Sequence, residues 1–353
     1  MNGFKNFLAK AIETKIIPNI KYVKDNYDLY LKNKKQSSQN IPDKLITIYD
    51  HLEDYIRVKR DSVSKDTVKS YRSLIKHLKL YEIFIGNKIH FSSFDYNFYD
   101  EFVHFLFHDT TKPNGEKGIL TNTVGKEVKT LKAFLRDRMR KGYCANIDLS
   151  TYKTLTEDVD NIFLTWDEIS FIYRFDLSEH PELIPTRDLL VLGCLLGLRF
   201  SDLSRISPKH IQNNELRIRQ KKVHSPVQIP ILNDAADILK KYNWHSPSVP
   251  MYEFNRNLKV LGKKVGLNSD FEVIHYQMGK EIASVYKKYE LMSSHICRRS
   301  FCTNEYLRNR ENIHLIMKIS GHRTEKAFLT YLKLDGEIAS KEIAEQWKNR
   351  KLN

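Results

Sequence analysis

Between positions 41 and 143, apolar residues recur three and four places apart in four successive stretches, the period of helices with one buried face. "IPDKLITIYDHLEDYIRVKR" aligns Ile48, Leu52, Tyr55 and Ile56, with proline in its first turn. "SKDTVKSYRSLIKHLKLYEIFIG" aligns Val68, Tyr71, Leu74, Leu78 and Tyr81 behind a Ser64 or Asp66 cap. "FDYNFYDEFVHFLFH" puts Phe98, Phe102 and Phe105 on one stripe. After the loop-forming "HDTTKPNGEKG", the stretch "TNTVGKEVKTLKAFLRDRMRKGY" turns Val124, Val128, Leu131 and Leu135 inward. Its outer face is expected to carry Lys129, Lys132, Arg136, Arg138, Arg140 and Lys141.

Periodicity then lapses in the polar "NIDLSTYKTLTEDVDNI" and resumes at "LTWDEISFIYRF", where Thr165 and Glu168 form a capping box. "RDLLVLGCLLG" is apolar all round and reads as a helix buried on most sides. "ELRIRQKKVHSPVQIPIL" alternates Leu216/Ile218 and returns as Val227/Ile229/Ile231, the one convincing β-hairpin. The remainder, from "NDAADILKKY" onward, is again mostly helical, with Ile338, Ala339, Ile343 and Trp347 at roughly helical spacing near its end. The expected fold is mainly α with a small β-hairpin. Residues 1–40 form an N-terminal arm or linker, 41–147 a helical domain, 148–160 a linker, and 161–353 a second domain with a C-terminal helix.

Composition narrows the partner. Lys and Arg outnumber Asp and Glu by 58 to 43, a net charge of +15, which favours a polyanion: nucleic acid or an anionic membrane. The longest apolar run, "LLVLGCLLGL", is too short to span a bilayer, and the N-terminus lacks a secretory signal pattern. Four cysteines at 144, 194, 297 and 302 show no paired or metal-ligand spacing, as expected of reduced thiols in a cytosolic protein. Nucleic acid is the better partner, and no membrane partner is expected.

Four clusters in the second half carry chemistry. In "LLGLRFSDLSRI" Gly197 ends the apolar helix and Ser201 can cap the next, which holds Arg199 in a tight turn able to fork onto a phosphate. Lys222, on the turn of "QKKVHSPVQIP", can reach over a groove and donate a proton. "SSHICRRSF" starts a helix with His295 in its first turn and Arg298 on the same face, where backbone N–H groups already favour anions. In "SGHRTEKAFLTYLK" nine positions separate His322 from Tyr331, half a revolution off on one continuous helix. Gly321 must therefore break the chain, with Thr324 capping a new helix that carries Tyr331 about two turns in. Two Arg, two His, a Lys and a Tyr suit metal-free nucleophilic attack on a phosphodiester. No P-loop, HExxH, GxSxG or acidic two-metal array competes.

In order, these boxes resemble those of the tyrosine recombinase (phage integrase) family, particularly integrases of Bacteroides-type mobile elements. The resemblance spans about residues 42–345. It implies a two-domain DNA clamp: a SAM-like helical core-binding domain and a catalytic recombinase domain. It implies that Tyr331 attacks the scissile phosphate to form a 3′-phosphotyrosyl link, that Arg199 and Arg298 clamp the non-bridging oxygens, and that Lys222 (or Lys221) protonates the leaving oxygen. His295 would act as general acid/base, His322 would hydrogen-bond the phosphate, and Asp202 would orient the Arg199 region. No metal or nucleotide cofactor is required. A homotetramer would form on synapsed duplex DNA, from a free monomer or weak oligomer, in the cytoplasm on the nucleoid. The C-terminal helix would dock on a neighbouring subunit or in cis. The family's hairpin turn is usually Lys-Thr-Gly, and here Val223 and His224 replace its small residues. A type IB topoisomerase and a catalytically idle DNA-binding regulator are the alternatives.

Overall fold

The computed structural model describes residues 47–112, 114–158, 161–277 and 280–332, together with Ser340, Ala344 and Trp347. The N-terminal arm at 1–40 and Ile338, Ala339 and Ile343 of the expected C-terminal helix lie outside them. The chain divides into two compact units, Met1–Asp158 with His275–Ile282, and Val159–Ile274 with Ala283–Asn353.

Among the described residues the first unit contains four α-helices: α1 (Ile48–Lys59), α2 (Lys65–Ile85), α3 (Tyr96–His108) and α4 (Thr121–Arg140). Local chemistry fixes their ends. Thr47 and Asp50 close a reciprocal capping box on α1, Ser64 caps α2 and Asp95 caps α3. Gly86, at φ 67°, ends α2 in the left-handed conformation that side chains disfavour. The apolar stripes meet in one core, in which the Tyr81 ring contacts Phe98, Phe102 and Phe105 with centroids 5.3–5.5 Å apart.

Helix α4 corrects two expectations. Arg138 is completely buried: its guanidinium pairs with Asp54 at 2.8 Å and Asp137 at 2.7 Å and lies over the Tyr143 ring at 4.9 Å. The reason is the helical period, since 124, 128, 131, 135 and 138 continue one inward stripe. Lys132 is half-buried, its ammonium bonded to the Tyr152 carbonyl. Lys129, Arg136, Arg140 and Lys141 are exposed, and Lys126 joins their stripe.

The second unit is built around α6 (Ile184–Leu196), buried from Asp188 to Cys194 and again at Leu196. α5 (Trp166–Arg174), α8 (Asn233–Lys241), α9 (Met251–Lys264) and α10 (His295–Arg308) pack on it. The short α7 (Phe200–Leu203) follows α6. Strands β1 (Ile211–Gln212), β2 (Glu215–Arg219) and β3 (Pro226–Pro230) form an antiparallel sheet in that order, with Leu216 opposite Ile229 and Ile218 opposite Val227. These inward residues are buried and their neighbours exposed, as strand alternation requires.

A second hairpin, β4 (Asp270–Gln277) with β5 (Lys280–Lys287), stands where a helical pattern was expected. Only Val273 of these strands is buried, so burial imposes almost no alternation on their sequence. Helices α11 (Ile313–Ser320) and α12 (Glu325–Leu329) follow, with a small core of Phe301, Cys302, Ile316 and Phe328. Among the described residues no helix is long and apolar enough to cross a membrane.

Candidate active site

Each candidate side chain of the second unit is held where a regular element stops. Gly197, at φ 64°, ends α6, and Arg199 follows in extended conformation as the N-cap residue of α7. Ser201, expected to cap, instead lies inside α7, because the chain leaves Gly197 extended for only two residues. The half-buried Arg199 donates from Nη1 to Gln220 Oε1 at 2.8 Å. Asp202 does not touch that guanidinium. Fully buried, it accepts from the Lys221 backbone N–H at 2.8 Å and from Arg205 at 2.9 Å, and so anchors the hairpin turn.

Arg298 lies one turn into α10 and is completely buried. Its Nη1 donates to the carbonyls of Gly197, at 3.0 Å, and Ser320, and its Nη2 bonds His322 Nε2 at 2.9 Å. Both carbonyls end helices, α6 and α11, where backbone acceptors lack partners and the dipole is negative. Among the described residues no carboxylate pairs with Arg199 or Arg298. Burial first, and then the Arg199 charge, push the Arg298 pKa down to about 10, which leaves it protonated at neutral pH.

Gly321, at φ 71°, ends α11 and swings His322 back under Arg298. The His322 Nδ1 meets Ser320 Oγ at 2.8 Å. Because Arg298 only donates, Nε2 accepts and the proton resides on Nδ1. Burial, then Arg298 and Arg199, hold the His322 pKa down to about 3, so the ring is neutral. Both nitrogens have partners within the protein, Nε2 on Arg298 and Nδ1 on Ser320.

Thr324 caps α12 by accepting from Ala327 N–H, as the sequence suggested. The helix has only five residues, however, and Tyr331 sits in the turn just beyond it, not two turns in. The Arg298 guanidinium lies over its ring at 5.4 Å. The His322 and His295 ring centroids are 4.8 and 6.5 Å from that of Tyr331. His295, the first residue of α10, is exposed at the surface. Loss of hydration against the surrounding protein, then the charges of Arg299, Lys222, Arg298 and Arg199, lower its pKa, which favours the neutral, proton-accepting form.

Lys222 is exposed on the β2–β3 turn, and it, rather than Lys221, is among the cations acting on His295. His224 occupies the left-handed region at φ 54°, so the turn keeps a backbone suited to glycine without having one. Arg323 ties to this turn through the Val223 carbonyl. The structure thus gathers Arg199, Arg298, His295, His322 and Tyr331, with Lys222 alongside. Two residues of the cluster, Gln220 and Ser320, are fully buried polar groups that sequence reasoning passed over. Both adjoin the quoted motifs, but nothing in a single sequence distinguishes a buried amide from an exposed one.

Residues 47–154 match the phage integrase SAM-like domain, and residues 163–337, which hold the whole cluster, match the phage integrase family. The chain belongs to the phage integrase family of tyrosine recombinases. Solved integrases share its mostly helical, two-domain architecture. A lambda integrase (75–356) dimer bound to a COC′ core site superposes with a TM-score of 0.59 at 16% identity, over 82% of this chain and 97% of that one. The Tn1549 transposon integrase in complex with a circular intermediate DNA gives 0.57 at 16% identity, over 85% and 99%. A lambda integrase tetramer bound to a Holliday junction gives 0.59 at 15% identity, over 82% and 78%. At these identities the likeness is one of fold. No curated protein matches the chain.

Proposed function

We propose that this integrase-family protein is a site-specific DNA recombinase that cleaves and rejoins strands through a 3′-phosphotyrosyl intermediate. The observation that carries the reading is a buried arginine held, among the described residues, by neutral acceptors, beside a second arginine and a tyrosine. Carbonyl acceptors bind guanidinium N–H groups without cancelling their charge, and the Arg298 Nε has no partner among the described residues, so the cluster retains a positive potential that an entering phosphodiester would neutralise.

In this reading the Tyr331 Oη attacks phosphorus, the bond to O5′ breaks, and the 3′ end remains on the enzyme. Neutral His295 takes the phenolic proton, and Lys222 delivers one to the departing 5′ oxygen. Arg199 and Arg298 spread the charge of the non-bridging oxygens in the transition state. His322 acts through Arg298. Attack by the 5′-hydroxyl of a partner strand reverses the step and exchanges strands between duplexes within a tetramer. Residues 161–353 supply the chemistry, and residues 41–147 grip duplex phosphates through Lys129, Arg136, Arg140 and Lys141 on the exposed face of α4.

A pool of nicked suicide duplexes with randomised centres tests the reading and selects the cleaved sequence in the same step. Wild type is expected to become covalently linked to a subset, recovered as SDS-resistant adducts, and Tyr331→Phe to link none. Adducts that survive Tyr331→Phe, or none with either protein, would overturn it. Strand exchange between two copies of the recovered sequence separates recombination from relaxation of supercoils by a topoisomerase.

A further inference from the structure

Gln220 has no acid, base or charge to offer a phosphodiester, yet it is completely buried at the centre of the cluster. Its Oε1 accepts from Arg199 Nη1 at 2.8 Å, and its Nε2 donates to the Ser320 carbonyl at 2.9 Å. The same carbonyl accepts from Arg298. The partners fix which end of the amide is which, because a guanidinium only donates and a carbonyl only accepts. The backbone of Gln220 meanwhile closes the turn that carries Lys222: its N–H donates to Ser225 at 2.8 Å and its carbonyl accepts from His224 at 2.9 Å. From the other side, a Cβ on residue 321 would lie 2.5 Å from Gln220 Oε1, so the glycine ahead of His322 is packed against the amide.

We propose that Gln220 is a positioning residue that sets Arg199 and Arg298 at a fixed separation by joining both to the Ser320 carbonyl. Through its own backbone it registers the Lys222 turn to the same point. The proposal rests on the recombinase reading above. Only a carboxamide of this length accepts at one end and donates at the other without adding charge. Leucine does neither, and glutamate gives the Ser320 carbonyl no donor while cancelling charge meant for the phosphate.

The test is a double-mutant cycle in single-turnover cleavage of the nicked duplex recovered from the pool, using wild type, Gln220→Leu, Arg199→Ala and the double variant. Affinity for the intact duplex is read in parallel by gel shift, and folding by tryptophan fluorescence. Gln220→Leu is expected to slow cleavage about 10- to 100-fold, the loss of a hydrogen bond to a charged group, with duplex affinity unchanged. In the Arg199→Ala background the same change should cost clearly less than in wild type, because the bond to Arg199 is already gone and only the bond to the Ser320 carbonyl remains to be lost. Gln220→Glu, taken through the same cycle, is expected to share this outcome and covers the case in which the leucine variant does not fold. Losses that simply add, or full-rate cleavage by both Gln220 variants, would overturn the proposal. An enzyme that cleaves while the losses add removes only the coupling. A wild type that forms no Tyr331-dependent adduct removes the recombinase reading and this proposal together.

Discussion

Replacing Arg138 by alanine is expected to damage the fold of the first unit, whereas the same change at Arg136, two residues away on α4, is expected to damage DNA binding. The side chain of Arg138 has 0% exposure, and those of its partners Asp54 and Asp137 have 9% and 15%. Removing one partner from such a group strands the remaining charges in a poorly solvated place, at a cost of about 3–5 kcal/mol. Two features bracket the value. Asp54 keeps Arg57 at 2.6 Å and Asp137 keeps Lys141 at 3.5 Å, which pulls the cost down. The guanidinium also covers the rings of Tyr143, Tyr55 and Phe134 at 4.9, 5.6 and 5.8 Å, and losing those contacts pushes it up. The middle of the range, about 4 kcal/mol, is a large part of the 5–15 kcal/mol that holds an ordinary domain together.

Urea unfolding followed by two probes reads the effect. All three tryptophans, at 166, 244 and 347, belong to the second unit, so fluorescence follows that unit while far-UV circular dichroism follows both. Arg138→Ala should bring an early loss of helical signal that precedes the fluorescence change. Arg136→Ala should leave both curves in place and lower the slope of log K for duplex DNA against log salt by about 0.9, one phosphate contact. An Arg138→Ala protein that unfolds like wild type but binds DNA more weakly would refute the burial argument and restore Arg138 to the DNA-facing set.

Two further outcomes follow from backbone and titration. His224→Gly should raise the stability of the second unit by about 0.5–1 kcal/mol, the relief of a left-handed non-glycine residue less the added freedom of the unfolded chain; His224→Val should lower it, and fluorescence-monitored urea curves decide the sign. His322, held neutral with a pKa near 3 against an ordinary 6.5, makes the fold acid-sensitive. Its contribution is whole above pH 6.5 and drains away as pH falls toward 3, because the unfolded chain takes up the proton and the folded one does not. His322→Gln should therefore flatten the fall of Tm below pH 6.5 relative to wild type, and an unchanged fall would mean that the ring is not buried as a neutral base.

How much of this was legible in the sequence depends on what burial does to a residue's neighbours. The helices α1–α4 were legible because each hides one face, and the hairpin β2–β3 because Leu216, Ile218, Val227 and Ile229 alternate with exposed positions. The hairpin β4–β5 was not, since almost nothing in it is buried and no alternation is enforced. Arg138 was misjudged for a different reason: its charge was read before its phase, although it continues the stripe of Leu131 and Leu135. The four motif boxes were legible as residue types at set spacings, but the contacts that hold them together were not. Asp202 suits a partner for Arg199 on paper, and in the fold it anchors the Lys221 backbone instead.

The least legible feature is also the one that leaves the cluster positively charged and suited to an anion. A buried guanidinium is normally found beside a carboxylate, and a reader of the sequence would search for one near Arg298. The fold uses the carbonyls of Gly197 and Ser320 and the Nε2 of neutral His322. These acceptors exist only because α6 and α11 end at glycines 197 and 321, each in the left-handed conformation, and leave their final carbonyls unpaired. Glycine at these two positions is therefore part of the electrostatics as well as of the turn: it exposes partial negative charge enough to hold an arginine in the interior, and too little to spare it the need for an anion.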